Sequence, residues 1–102
     1  MLILVLLPLY DNISIMIDML KALADENRLK MITLLSGKKA LCVCEIEKNL
    51  ELSQNLVSHH LSILKQAKIV ENCRCGKNQY YSINNKTLKD LAKKINRMEG
   101  VE

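Results

Sequence analysis

The chain has 102 residues, 49% of them hydrophobic, with neither Trp nor Phe and with three Tyr. That length suits one domain with an aliphatic core, and the apolar share excludes a disordered chain. The net charge of +4 is unevenly placed: residues 1–52 carry six basic and seven acidic side chains, residues 53–98 nine basic and two acidic, the footprint expected of a nucleic-acid binder.

The opening "MLILVLLPLY" lacks the basic start and small-residue cleavage pattern of a signal peptide. Pro8, Asp11 and Asn12 end it well short of the roughly 20 residues that cross a bilayer. It is expected to be an apolar extension over residues 1–12, belonging to a dimer interface or lying upstream of a domain that starts at Met16 or Met19. The folded domain is expected over residues 13–98 and a short tail over 99–102. Nothing else in the sequence directs the chain out of the cytoplasm, so a cytoplasmic protein without membrane contact is expected.

Apolar residues at helical spacing (Ile13, Met16, Ile17, Leu20, Leu23) predict a first helix from Ile13 to Leu23. In "ADENRLKMITLLSG", Asp25 is an N-cap, Glu26 suits the first turn, Leu29, Ile32 and Leu35 mark one face, and Gly37 ends the helix. A short extended piece, "KALCV", leads into a third helix from about Cys44 to Leu50. In "ELSQNLVSHHLSILKQAKIV" Ser53 caps a fourth helix. Its apolar side is Val57, Leu61 and Leu64, backed by Leu56, Ile63 and Ala67, and Gln54, Asn55, Ser58, His59 and Ser62 make the other face. Two short helices separated by "ELS" read as a helix-turn-helix. "IVENCRCGKNQYYSI" reads as a β-hairpin turning at Gly76–Asn78, and "NNKTLKDLAKKINRM" as a closing helix with Leu88, Leu91, Ala92 and Ile95 on one face. The fold class is mainly α with a small hairpin: a winged helix-turn-helix of about five helices.

A helix that reads the major groove needs an apolar back and a front of short hydrogen-bonding side chains near its N-terminus. The fourth helix has both. Ser53, Gln54, Asn55, Ser58 and His59 are its candidate DNA contacts, and Arg74 and Lys77 flank the hairpin tip where a wing meets backbone or minor groove. Double-stranded operator DNA is the expected partner. No acid/base pair, nucleophile triad or phosphate loop points to an enzyme or to a small-molecule substrate.

Four cysteines fall in two Cys-x-Cys pairs, Cys42/Cys44 and Cys73/Cys75. A disulfide within so short a ring is strained, and cytosolic thiols stay reduced. At a helix start the exposed N–H groups are expected to lower a thiol's pKa, and two close thiolates suit As(III), Sb(III), Cd(II), Pb(II) or Zn(II) far better than Mg or Ca. The competing structural role is that of small buried residues. Cys73 and Cys75 on a strand share a face, which makes them a secondary candidate site or unremarkable wing residues. A hairpin of ~8 residues reaches on the order of 25 Å from its base, so neither is expected to join Cys42 within one subunit.

"LKALADENRLKMITLLSG", "LCVCEI", "LSQNLVSHHLSILKQAKIV" and "GKNQYYSI" together resemble the ArsR/SmtB family of metal-sensing transcriptional repressors, in register from about Met19 to Ile83 and including Ser58-His59-His60-Leu61. The resemblance implies a homodimer through the first and last helices, repression at a palindromic operator, and release by a metal or metalloid inducer, with no organic cofactor. It places Gln54, Asn55, Ser58 and His59 on the recognition helix and gives His60 a packing position. "LCVCEI" resembles the L-C-V-C-D motif of arsenic-, antimony- and cadmium-responsive members, which implies Cys42 and Cys44 as ligands, with As(III) or Sb(III) ranked before Cd(II), Pb(II) and Zn(II). The chain departs from the family in two places. Some arsenic sensors carry a third cysteine where this chain has Glu47, and residues 1–41 hold none of the N-terminal cysteines of cadmium and lead sensors. The third ligand is then water, an exogenous thiol or a distant cysteine. The last-helix zinc site of the family needs His, and "NKTLKDLAKKINRM" supplies Asp90 but no His, so that site is expected to be missing. Other readings of the same residues are a repressor answering thiol oxidation or reactive sulfur, a DNA-binding protein indifferent to ligands, and a zinc-bound protein–protein adaptor.

Overall fold

A computed structural model describes residues 2–37 and 40–100, with side chains from residue 13 onward. Met1, Lys38, Lys39, Val101 and Glu102 lie outside the described residues, and with them Lys39 of the expected extended piece and the end of the expected tail. Helix α1 runs Leu2–Leu23, α2 Glu26–Leu35, strand β1 Leu41–Cys42, α3 Val43–Leu50, α4 Gln54–Gln66, β2 Val70–Cys75, β3 Asn78–Ile83 and α5 Asn85–Asn96. The expected helix from Ile13 therefore begins inside the apolar run. No described helix is long and apolar enough to cross a membrane.

Side-chain caps set several helix starts. Asp25 accepts the Arg28 N–H at 3.1 Å, Ser53 that of Leu56 at 3.3 Å and Asn84 that of Thr87 at 3.3 Å, each satisfying a donor the helix leaves orphaned. The far ends of α3 and α4 run against preference: Glu51, the cap of α3, and Lys68, the residue after the Ala67 cap of α4, adopt left-handed φ of 54° and 62°, a conformation usually left to glycine.

The core is aliphatic and centred on α4. Met31, Leu35, Ile46, Val57, Leu61, Leu64, Ile69 and Val70 are buried together with Ala22, and Leu41, Val43, Tyr81, Ile83 and Leu88 pack around them. Two expected faces are corrected. Leu29 on α2 is half exposed because the buried line of that helix is Met31 and Leu35, one turn apart at i and i+4. On α1, Met16 and Ala22 are buried while Ile13, Ile15, Ile17 and Leu20 stay exposed.

The hairpin is part of a larger sheet than the sequence implied. The strand order is β1-β3-β2, all antiparallel. β1 pairs Leu41 with Tyr81 and Cys42 with Tyr80, while β2 pairs Cys73 with the same Tyr80 and Cys75 with Asn78. Gly76 and Lys77 form the two-residue turn, Gly76 with φ of +63°, which places a left-handed glycine first in a hairpin turn where an L side chain is strained.

Candidate thiol site and nucleic-acid interface

Cys42 ends β1 and is the N-cap residue of α3; Cys44 lies in the first turn. The Cys42 N–H donates to Glu45 Oε1 at 3.4 Å, half of a capping box. The two Sγ atoms are 2.6 Å apart, and Cys42 Sγ is 3.2 Å from the same Glu45 oxygen. Cys42 is buried and Cys44 exposed, and all four cysteines are free thiols. The expected lowering of the thiol pKa is overturned at Cys42, whose pKa is raised. The side-chain hydrogen bond with Cys44 outweighs the Glu45 backbone N–H, and burial and the Glu45 carboxylate add to the rise.

The pair opens onto a cleft of about 430 Å³ lined by Cys42, Val43, Cys44 and Glu47 on the α3 side, Gln54 and Ser58 on α4, and Lys77, Asn78, Gln79 and Tyr81 on the wing. Gln79 Oε1 accepts from Asn72 Nδ2 and from Tyr81 Oη, both at 3.2 Å, which stiffens the wing wall. A soft ion fits the two thiols by donor type. Among the described residues no group of three or more His, Cys, Asp and Glu side chains is arranged to hold one. Glu47, half-buried at the cleft edge, is the nearest carboxylate in sequence to lie on the same cavity wall.

The predicted reading residues emerge on one helix. Gln54, Asn55, Ser58 and His59 are exposed on α4, and Val57, His60, Leu61 and Leu64 are buried behind them. Ser53 sits just ahead, its oxygen committed to the cap and its O–H still free to donate. Arg74 and Lys77 are exposed at the hairpin end, Arg74 opposite Gln79. Leu56, expected to back the core, is instead 36% exposed beside the predicted reading residues.

The packing role of His60 has a specific form. Arg28 donates from Nε to the Ala22 carbonyl at the end of α1 and from Nη1 to His60 Nδ1 at 3.0 Å. Arginine never deprotonates, so Nδ1 is the acceptor and the imidazole is neutral. Burial pushes the His60 pKa down, with the Asp25 carboxylate 3.9 Å away opposing and Arg28 assisting. Asp25 is itself held below its ordinary pKa, chiefly by the Arg28 backbone N–H. This latch joins α1, α2 and α4, and no sequence pattern announces it because its members are 32 residues apart.

The wing cysteines are not brought to the first pair. Cys73 stands two strands from Cys42 across Tyr80, about 10 Å at ordinary strand spacing. The separation expected from hairpin length, on the order of 25 Å, is corrected, because β1 pairs with the middle of the hairpin.

Residues 25–72 match the family model described as "Bacterial regulatory protein, arsR family". A transcriptional repressor SmtB homolog of Synechocystis sp. is 33% identical over 83% of this chain and 64% of its own length. A cadmium resistance transcriptional regulatory protein CadC homolog of Staphylococcus aureus is 39% identical over 72% of this chain and 61% of its own. The arsenical resistance operon repressor of the same organism is 32% identical over 76% and 73%. Thus the chain spans about three fifths of the length of the first two relatives. The homodimeric winged helix-turn-helix DNA-binding domain Mb0332 of Mycobacterium bovis superposes with a TM-score of 0.68 at 29% identity, over 83% of this chain and 76% of that one. With its helix-turn-helix, its wing and the thiol pair at the entrance to α3, the chain belongs to the arsR family of bacterial regulatory proteins.

Proposed function

We propose that this chain is a homodimeric transcriptional repressor that holds an operator through α4 and the wing and releases it when a thiophilic metal(loid) is bound by Cys42 and Cys44. As(III) and Sb(III) rank first as inducers, Cd(II), Pb(II) and Zn(II) next. The observation that carries the reading is the shared cleft: the thiols form one wall, and Gln54, Ser58 and Lys77 of the DNA-contacting set form the others. Two thiolates on one ion with bonds of about 2.3 Å and tetrahedral angles sit roughly 3.8 Å apart. The two thiols, which contact each other, must give up that contact for bonds to the ion. Cys42 is held by its pairing with Tyr80 and by the capping bond, and the movement falls on the first turn of α3, which packs through Ile46 against the core of α4.

Such a displacement re-aims the two recognition helices of a dimer. A coupling of ~1–3 kcal/mol, up to roughly 150-fold in affinity, is of ordinary size. Dimer formation is supported by the exposed Ile13, Ile15, Ile17 and Leu20 of α1 and by Ile95 and Met98 at the end of the chain. The names of the cadmium- and arsenic-resistance relatives support the inducer class. The third ligand is water, an exogenous thiol or a distant cysteine.

The test is operator binding with and without As(III), Sb(III) and Cd(II), repeated with Cys42→Ser and Cys44→Ser. Release by at least one ion, lost in both variants, is expected. Release by every ion unchanged in the variants disproves the site. A second reading, release by thiol oxidation, rests on the exposed free thiol of Cys44 and predicts a response to peroxide and none to the ions.

A further inference from the structure

We propose that Cys73 and Cys75 form a second, independent dithiol site on the wing, taking trivalent arsenicals and other soft species that need two thiolates. Free cysteine is among the most buried residue types, yet both of these are exposed and neither belongs to the core. From Cys73 to Cys75 every residue of β2 is exposed, so a packing role does not account for the pair. Both lie on β2, an edge strand of the sheet, and residues i and i+2 of a strand present side chains on the same face about 6.8 Å apart. That spacing lies at the upper limit for a direct disulfide. An atom bridging the sulfurs through two bonds of about 2.3 Å relaxes the requirement.

The register makes the site separate from the first. Cys42, Tyr80 and Cys73 occupy one cross-strand row, so the two pairs are two strands, roughly 10 Å, apart with Tyr80 between them. Sulfurs bound to one ion are at most about 4.6 Å apart at such bond lengths, which excludes a shared ion without unpairing the sheet. With phenylarsine oxide the reaction balances without an oxidant. Two S–H groups and PhAs=O give PhAs(S–Cys)₂ and one water, with two As–S bonds formed, the As=O bond broken and both thiol protons carried off on the oxygen. The third arsenic valence is already filled by carbon, so two thiolates complete the site.

The experiment is titration of the reduced chain with phenylarsine oxide, counting adducts per protomer by native mass spectrometry. Wild type is expected to take two equivalents and Cys73→Ser/Cys75→Ser one. Cys42→Ser/Cys44→Ser is expected to keep one, though Cys42 is buried and that variant is the less certain to fold. The wing variant alters exposed positions and keeps the test decisive. Two equivalents retained in Cys73→Ser/Cys75→Ser, or one equivalent in wild type unchanged by that variant, overturns the wing site. One equivalent in wild type that the wing variant abolishes supports the wing site and counts instead against the Cys42/Cys44 reading.

Discussion

Replacing Arg28 by alanine is the most informative perturbation of the scaffold that carries α4. The guanidinium makes two charge-assisted hydrogen bonds, to the Ala22 carbonyl and to His60 Nδ1, and such bonds contribute about 1.5–3 kcal/mol each. Ala22 is buried, with 4% of its surface exposed, but it borders an open cleft beside Arg28 through which water recovers part of the loss there. The His60 acceptor is buried, with 6% of its surface exposed, and cannot be rehydrated cheaply. A destabilisation of about 2–4 kcal/mol follows, with the larger share from His60. For a domain of this size that lowers Tm by roughly 8–30 °C, measured by calorimetry at fixed protomer concentration because a dimer's Tm depends on it. A double-mutant cycle with His60→Leu isolates the pair, and a coupling of about 1–2 kcal/mol is expected. Arg28→Ala costing under about 0.5 kcal/mol, or a coupling near zero, refutes the latch. The same contact sets a pH dependence. The His60 pKa is lower folded than unfolded, so below about 6.5 the unfolded chain binds the extra proton and stability falls as pH drops. Its contribution is fully present above that pH, and His60→Leu removes that part of the slope.

Other expectations follow from single positions. Glu45→Gln keeps an oxygen for the Cys42 N–H but removes the carboxylate that helps hold the thiol protonated; the Cys42 thiolate absorbance is expected to appear at lower pH than in wild type, and an unmoved or higher midpoint contradicts the assignment. Because the Cys42 pKa is raised, Cd(II) binding to the first pair should strengthen as pH climbs from neutrality and release protons, read by titration calorimetry in two buffers of different ionisation heat. Lys68→Gly relieves a left-handed φ of 62° and should stabilise by about 1 kcal/mol in chemical denaturation. Gly76→Ala places a side chain at φ +63° with open space around it, so backbone strain of roughly 1–2 kcal/mol is expected, weakening operator binding more than it lowers Tm.

What the sequence determined by itself was of short range. The caps at Asp25 and Ser53, the buried line Val57, Leu61 and Leu64, the exposed Gln54, Asn55, Ser58 and His59, and the hairpin around Gly76 all rest on spacing within one or two turns or strands. Periodicity encodes such features directly. The tertiary structure decided what depends on residues distant in sequence. It paired β1 with β3, so that Cys42 and Cys73 share Tyr80 as a neighbour. It tied His60 to Arg28 and turned Leu29 outward. The rise of the Cys42 pKa also belongs here, although its causes are local. A helix start exposes N–H groups that favour a thiolate, but Cys42 Sγ lies against Cys44 Sγ and the Glu45 carboxylate, at the residue where β1 pairs with the sheet. A two-residue strand has no periodicity of its own to read, and the physical reason for its place is the partner it finds about forty residues later.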